Sequence, residues 1–127
     1  MPILDVEMVC PPGEGVPQGM SVAIADAAAG VFGTPPGQTW VRLHGLSLDC
    51  YAENGGGGDP GVQPVFVHVL KATLSPEPDL EKEVSALAAA IALVCNRPVE
   101  NVHIVYDPPL VGRIAFGGRL RKGGEGV

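Results

Sequence analysis

The feature that most constrains this 127-residue sequence is that it repeats itself. Each half opens with a proline and a strand-like run. In Pro2-Ile3-Leu4-Asp5-Val6-Glu7-Met8-Val9 the apolar Leu4, Val6 and Met8 alternate with Asp5 and Glu7, and Pro64-Val65-Phe66-Val67-His68-Val69-Leu70 is rich in valine. An amphipathic stripe follows in each half. Met20, Ile24, Ala27 and Val31 stand at i, i+4, i+7 and i+11, and Leu80, Val84, Leu87 and Ile91 keep that spacing 60 residues later. Pro17 opens the first helix and Ser75-Pro76-Glu77-Pro78-Asp79 the second; turns containing Pro35-Pro36-Gly37 and Arg97-Pro98 end them. Second strands are expected at Thr39 to His44 and Asn101 to Tyr106, with Val41 and Leu43 matching Val102 and Ile104. Each half closes on an aromatic and glycine segment, Tyr51 to Gly56 and Gly112 to Gly118, so the order reads strand, helix, strand, hairpin, twice over.

A strand, a crossover helix and a second strand at this length form a right-handed βαβ unit with parallel strands. The predicted class is therefore α+β: two tandem β-α-β units forming a four-stranded sheet with both helices on one face. One domain is expected over 1–127, with repeat one at about 2–58, repeat two at about 63–118 and a tail at 119–127. With 46% apolar and 17% charged residues the chain suits a single compact core, and its 18 glycines and 13 prolines fall between the apolar runs, as turn formers do. Asn54-Gly55-Gly56-Gly57-Gly58-Asp59 reads as the linker between repeats, because it lacks the Lys-Ser/Thr of a phosphate-binding loop. The stretch from Glu83 to Cys95 is apolar on nearly every side after its first turn, which points to a further covering surface and hence an oligomer.

Composition excludes several partners. The longest apolar run, Ala86 to Cys95, is half the roughly 20 residues that a membrane span needs, so no membrane association is expected. A net charge of −6 has the wrong sign for holding a phosphate backbone, so no nucleic acid is expected either. Cys10, Cys50 and Cys95 are odd in number and widely spaced, and the start lacks a basic leader; both suit a cytoplasmic protein with free thiols. The three histidines lie in three different strands without ligand spacing, so no metal site is expected.

The chemistry-bearing candidate is Pro2. A small residue behind the initiator Met normally lets that Met be removed, leaving a secondary amine. An α-amino group titrates near 7.7–8.0, and an apolar pocket beside cations lowers that value, because both disfavour the ammonium form. Pro64, acylated by Gln63, has no such basicity. Acid dominates the first half: residues 1–62 hold seven acidic side chains and one cation, Arg42, against seven of each sign in residues 63–127. Trp40, Arg42 and His44 should share the strand face opposite Val41 and Leu43.

Pro2 behind Met1, the doubled β-α-β pattern, Val41-Arg42-Leu43, Phe66-Val67-His68-Val69-Leu70-Lys71 and the segment Gly112 to Gly118 together resemble the tautomerase superfamily over about residues 2 to 118. That superfamily includes 4-oxalocrotonate tautomerase, 5-carboxymethyl-2-hydroxymuconate isomerase and malonate semialdehyde decarboxylase. The resemblance implies an isomerase, a cofactor-free keto-enol tautomerase of the kind used in aromatic compound degradation. Pro2 would be the general base that moves a proton in a small 2-hydroxydienoate or 2-keto acid. It further implies a homotrimer and a carboxylate-binding role for Arg42. Lys71, His103, Tyr106 and Arg113 become candidate substrate-binding residues, with His103 and Tyr106 lining the site together. Lys71-Ala72-Thr73 replaces the paired arginines of the decarboxylase and dehalogenase members. The loop Thr34 to Gln38 lacks the decarboxylases' acid, and Gly112 to Arg119 lacks the dehalogenases' glutamate. A decarboxylase-like or hydratase-like enzyme and a non-catalytic trimeric binding protein stand as the alternatives.

Overall fold

A computed structural model describes residues 2–55 and 61–123. Strand β1 (Ile3–Cys10) leads into helix α1 (Met20–Phe32) and strand β2 (Trp40–Ser47); β3 (Val65–Leu70), α2 (Glu77–Cys95) and β4 (Val102–Tyr106) repeat the unit. The sheet order is β2-β1-β3-β4. Each unit pairs its own strands in parallel, and β1 meets β3 antiparallel, so the two units join back to back through their first strands. The expected α+β architecture is present.

Period-two alternation decides which face is buried. Leu4, Val6 and Met8 of β1 and Val65, Val67 and Val69 of β3 are buried against Ile24 and Ala28 of α1 and Leu87, Ile91 and Cys95 of α2. Both helices therefore cover one face, and the other is left open. Helix α1 stops at Gly33, whose left-handed φ of 69° turns the chain while its N–H bonds to the Ala29 carbonyl. Helix α2 starts with Pro78 in its first turn, where a missing N–H costs no helical bond, and ends at left-handed Asn96. Arg97 then ties the end of β1 to the approach to β3, its Nη1 donating to the carbonyls of Val9 and Gln63.

Three details differ from the sequence reading. The buried stripe of α1 runs through Ala28, with Ala27 only half-buried, a one-residue rotation of the helix about its axis. Strand β2 continues to Ser47, because β1 offers it partners as far as Cys10. The closing segments are unlike. In the second half β5 (Ala115–Phe116) and β6 (Arg119–Leu120) form a hairpin whose Gly117 and Gly118 both take positive φ, as a two-residue hairpin turn requires. In the first half β2 runs into a 3-10 turn at Leu48–Cys50 and no strand follows it among the described residues; Tyr51 instead leans on Phe66, ring centroids 6.0 Å apart. Met1, most of the glycine linker (56–60) and the end of the tail (124–127) lie outside the described residues.

No described helix is long and apolar enough to cross a membrane. Cys10 and Cys95 are buried, Cys50 is exposed and all three are free. The outer side of α2 carries Ala86, Ala89 and Leu93, the last 83% exposed.

Candidate active site

Pro2 is buried at the start of β1. Continuing the β1–β3 register one step beyond the Ile3 to Leu70 pair sets Pro2 opposite Lys71. The end of α1 closes over that point. Pro2, Phe32, Gly33, Thr34, Pro35, Lys71, Ala72 and Thr73 line a cavity of about 130 Å³. Gly33 matters here because its turn brings Thr34 and Pro35 back over the strand ends, and the Thr34 and Thr39 hydroxyls then bond across the loop. The Pro2 carbonyl accepts the Trp40 N–H at 3.1 Å, which fixes the residue from the β2 side.

Among the described residues, Lys71 is the cation that lines this cavity. Its Nζ lies 4.9 Å from the Phe32 ring centroid and 2.9 Å from Glu83 Oε1, and the two charged side chains are only 20% and 15% exposed. Tyr106 on β4 donates its hydroxyl to the other carboxylate oxygen of Glu83 at 2.7 Å. Burial first, then the bond to the Glu83 carboxylate, push the Tyr106 phenol far above its usual range, so it stays protonated and keeps donating. Lys71, just past the end of β3, Glu83 on α2 and Tyr106 on β4 thus form one polar chain. Glu83 is the residue that sequence reasoning passed over. Its signal was its place in the Leu80, Val84, Leu87 stripe, where an inward-facing acid needs a buried partner.

Arg42 lies elsewhere. It stands with Trp40 and His44 on the open face, as alternation predicted, and binds Asp5 in two-pronged fashion, Nε to Oδ1 at 2.5 Å and Nη2 to Oδ2 at 2.6 Å. That bond holds the Asp5 carboxyl below its ordinary range and lifts Arg42 above its own, although Arg42 stays 65% exposed. Asp5, Glu7, Arg42, His44, Tyr51, Phe66 and His68 line a broad groove of about 670 Å³ on that face. It is larger than the Pro2 cavity but carries both signs of charge and lies on the other side of the sheet.

The structure also separates His103 from Tyr106, which the sequence reading had set together on one wall. The two are three residues apart on one strand, an odd number, so they point to opposite faces. His103 packs on Phe66 over the open face, ring centroids 5.4 Å apart, while Tyr106 faces the helices. Arg113 turns onto the carbonyls of Pro108 and Pro109, where it braces the loop after β4 and lines neither cavity. Of the expected set, Pro2 and Lys71 share the cavity wall and Tyr106 joins them through Glu83. Arg42, His103 and Arg113 stand apart. No three His, Cys, Asp or Glu side chains among the described residues gather where they could hold a metal ion.

No protein-family model and no curated protein matches the sequence. Solved structures match its shape. Pt0534 inactivated by 2-oxo-3-pentynoate aligns with a TM-score of 0.73 over 98% of this chain and 99% of that one, at 17% identity. The F6 fused 4-OT asymmetric trimer gives 0.65 over 91% and 94% at 17% identity, and FG41 malonate semialdehyde decarboxylase inhibited by 3-bromopropiolate gives 0.65 over 91% and 88% at 15%. At these identities the likeness shows the fold, and that fold is the one shared by the tautomerase superfamily.

Proposed function

We propose that this chain, built on the tautomerase-superfamily fold, is a cofactor-independent keto-enol tautomerase in which Pro2 is the general base. The observation that carries the reading is the burial of Pro2 in the wall of a cavity whose one described cation is Lys71. Once Met1 is removed, the Pro2 nitrogen is a secondary amine. Desolvation and the neighbouring ammonium both favour its neutral form, so at neutral pH it can accept a proton. Lys71 holds the substrate carboxylate and stabilises the negative charge that develops on the enolate oxygen.

On a 2-hydroxydienoate the Pro2 nitrogen takes the hydroxyl proton, the electron pair moves through the diene as the 2-keto group forms, and the prolinium returns the proton to a chain carbon. The second half cannot do this, because Pro64 is an amide within the chain, buried, with its carbonyl accepting from the Val9 N–H. The repeat thus contributes one base and two units of scaffold.

The active form is proposed to be a homotrimer in the cytoplasm. Both β2 and β4 are sheet edges among the described strands, Leu93 stands out from α2, and fused 4-OT structures of the same fold are trimers. In that assembly Arg42, which faces away from the cavity of its own chain, contributes to carboxylate binding only by reaching a neighbour's cavity. A decarboxylase-like reading has one observation in its favour. The cavity of about 130 Å³ is below the roughly 300 Å³ at which ligand pockets usually begin, which suits a three-carbon acid.

The test is an ultraviolet assay of enol-to-keto conversion on 2-hydroxymuconate, 5-carboxymethyl-2-hydroxymuconate and phenylenolpyruvate, beside Pro2→Ala and with intact masses recorded. Activity lost in Pro2→Ala while its circular dichroism is unchanged supports the base. Full activity in Pro2→Ala overturns it, and no activity on any enol with Met1 absent turns the reading to decarboxylation.

A further inference from the structure

We infer that Glu83 is a positioning residue that acts through Lys71, an inference that rests on the function proposed above. An ammonium on a four-carbon stem has many rotamers, and a partly exposed lysine beside a cavity would ordinarily reach for water. Here the stem end is fixed on two sides, by the Phe32 ring at 4.9 Å and by Glu83 Oε1 at 2.9 Å. The carboxylate is itself fixed, because Tyr106 occupies Oε2 at 2.7 Å. Each side chain therefore has its geometry set by the next, from β4 through α2 to the cavity wall.

The stoichiometry of donors leaves room for substrate. An ammonium has three N–H groups; Glu83 takes one and the Phe32 face lies against another side, which leaves a donor for a carboxylate beside Pro2. A plain strut between α2 and the sheet would call for no second anchor on the carboxylate, whereas a preorganised binding cation requires its support to be held as well. Glu83 and Tyr106 supply that support from elements that do not touch the cavity.

The experiment measures covalent labelling of Pro2 by 2-oxo-3-pentynoate, a carboxylate-bearing ynone. The amine attacks the alkyne carbon β to the ketone, the N–C bond forms as one π bond opens, and the proton of the amine ends on the adjacent carbon. The mass therefore rises by one whole reagent, which peptide mapping places. The second-order labelling rate is compared for wild type, Glu83→Gln, Lys71→Met and the double variant, with urea midpoints as the folding check. We expect Glu83→Gln to slow labelling at least fivefold in the wild-type background and by less than 1.5-fold in the Lys71→Met background, since its effect passes through that one ammonium. If Glu83→Gln does not fold, Tyr106→Phe carries the same test, with a twofold loss that also disappears beside Lys71→Met. Equal losses in both backgrounds, or faster labelling in Glu83→Gln, overturn the inference while leaving the proposed base standing. No labelling of the wild-type Pro2 overturns the proposed function and this inference with it.

Discussion

Replacing Lys71 by Met and, separately, Arg42 by Ala distinguishes the cation inside the cavity from the one on the open face. Met keeps the apolar length of the Lys71 stem against Phe32 and removes the charge. A hydrogen bond to a charged group contributes about 1.5–3 kcal/mol, and at 20% exposure the Lys71 side chain is little screened. That range corresponds to a rise in KM of about 10- to 150-fold. The assay is initial-rate ultraviolet turnover of phenylenolpyruvate, with one carboxylate, and 2-hydroxymuconate, with two. Lys71→Met should raise KM on both substrates. Arg42→Ala should leave phenylenolpyruvate untouched, because its guanidinium is held by Asp5 on the other face of the sheet. It should raise KM for 2-hydroxymuconate only where an adjoining copy brings Arg42 to the second carboxylate. An unchanged KM in Lys71→Met on both substrates, with the variant folded, would refute the reasoning. So would a loss on phenylenolpyruvate in Arg42→Ala that matched the loss in Lys71→Met.

Two further outcomes follow from contacts away from the cavity. Arg97→Ala removes the donor to the Val9 and Gln63 carbonyls and should lower stability by about 1–3 kcal/mol in urea unfolding, with activity per folded molecule unchanged. Tyr106 has a folded pKa raised above its unfolded value near 10, so the stability it contributes is present below pH 10 and is lost as pH rises beyond it. One proton corresponds to a slope of at most about 1.4 kcal/mol per pH unit, so the urea midpoint of the wild type should fall more steeply between pH 9 and 11 than that of Tyr106→Phe. Parallel curves would refute the buried hydrogen-bonded phenol.

Most of the architecture was legible because it rests on local periodicity. The alternation around Leu4, Val6 and Met8 and the stripe around Leu87 and Ile91 are each decided within one element, and the duplication made each half a check on the other. The same alternation correctly put Trp40, Arg42 and His44 on one face. Applied to β4 it would also have parted His103 from Tyr106, which the family resemblance had drawn together. What local pattern could not supply was contact between elements far apart in sequence. The Asp5 to Arg42 pair depends on the β1–β2 register, and the Glu83 bonds to Lys71 and Tyr106 need α2 docked across β3 and β4. The hairpin misplaced in the first half has a local cause: Gly117 and Gly118 carry paired positive φ values, and the described part of the segment after β2 has only Gly55 in that region.

The central claim is that the free secondary amine of Pro2 does the chemistry, and the most direct measurement is to change only that amine. Wild-type protein is compared with a chain carrying one extra residue ahead of Pro2 that intact mass shows to be retained, both assayed for kcat/KM on the best enol substrate. Acylation leaves the proline ring, its burial and the strand in place and removes the basic nitrogen. The account predicts a loss of about 10²- to 10⁴-fold in kcat/KM with an unchanged urea midpoint, the range general-base catalysis contributes. Equal kcat/KM in the two proteins would contradict it.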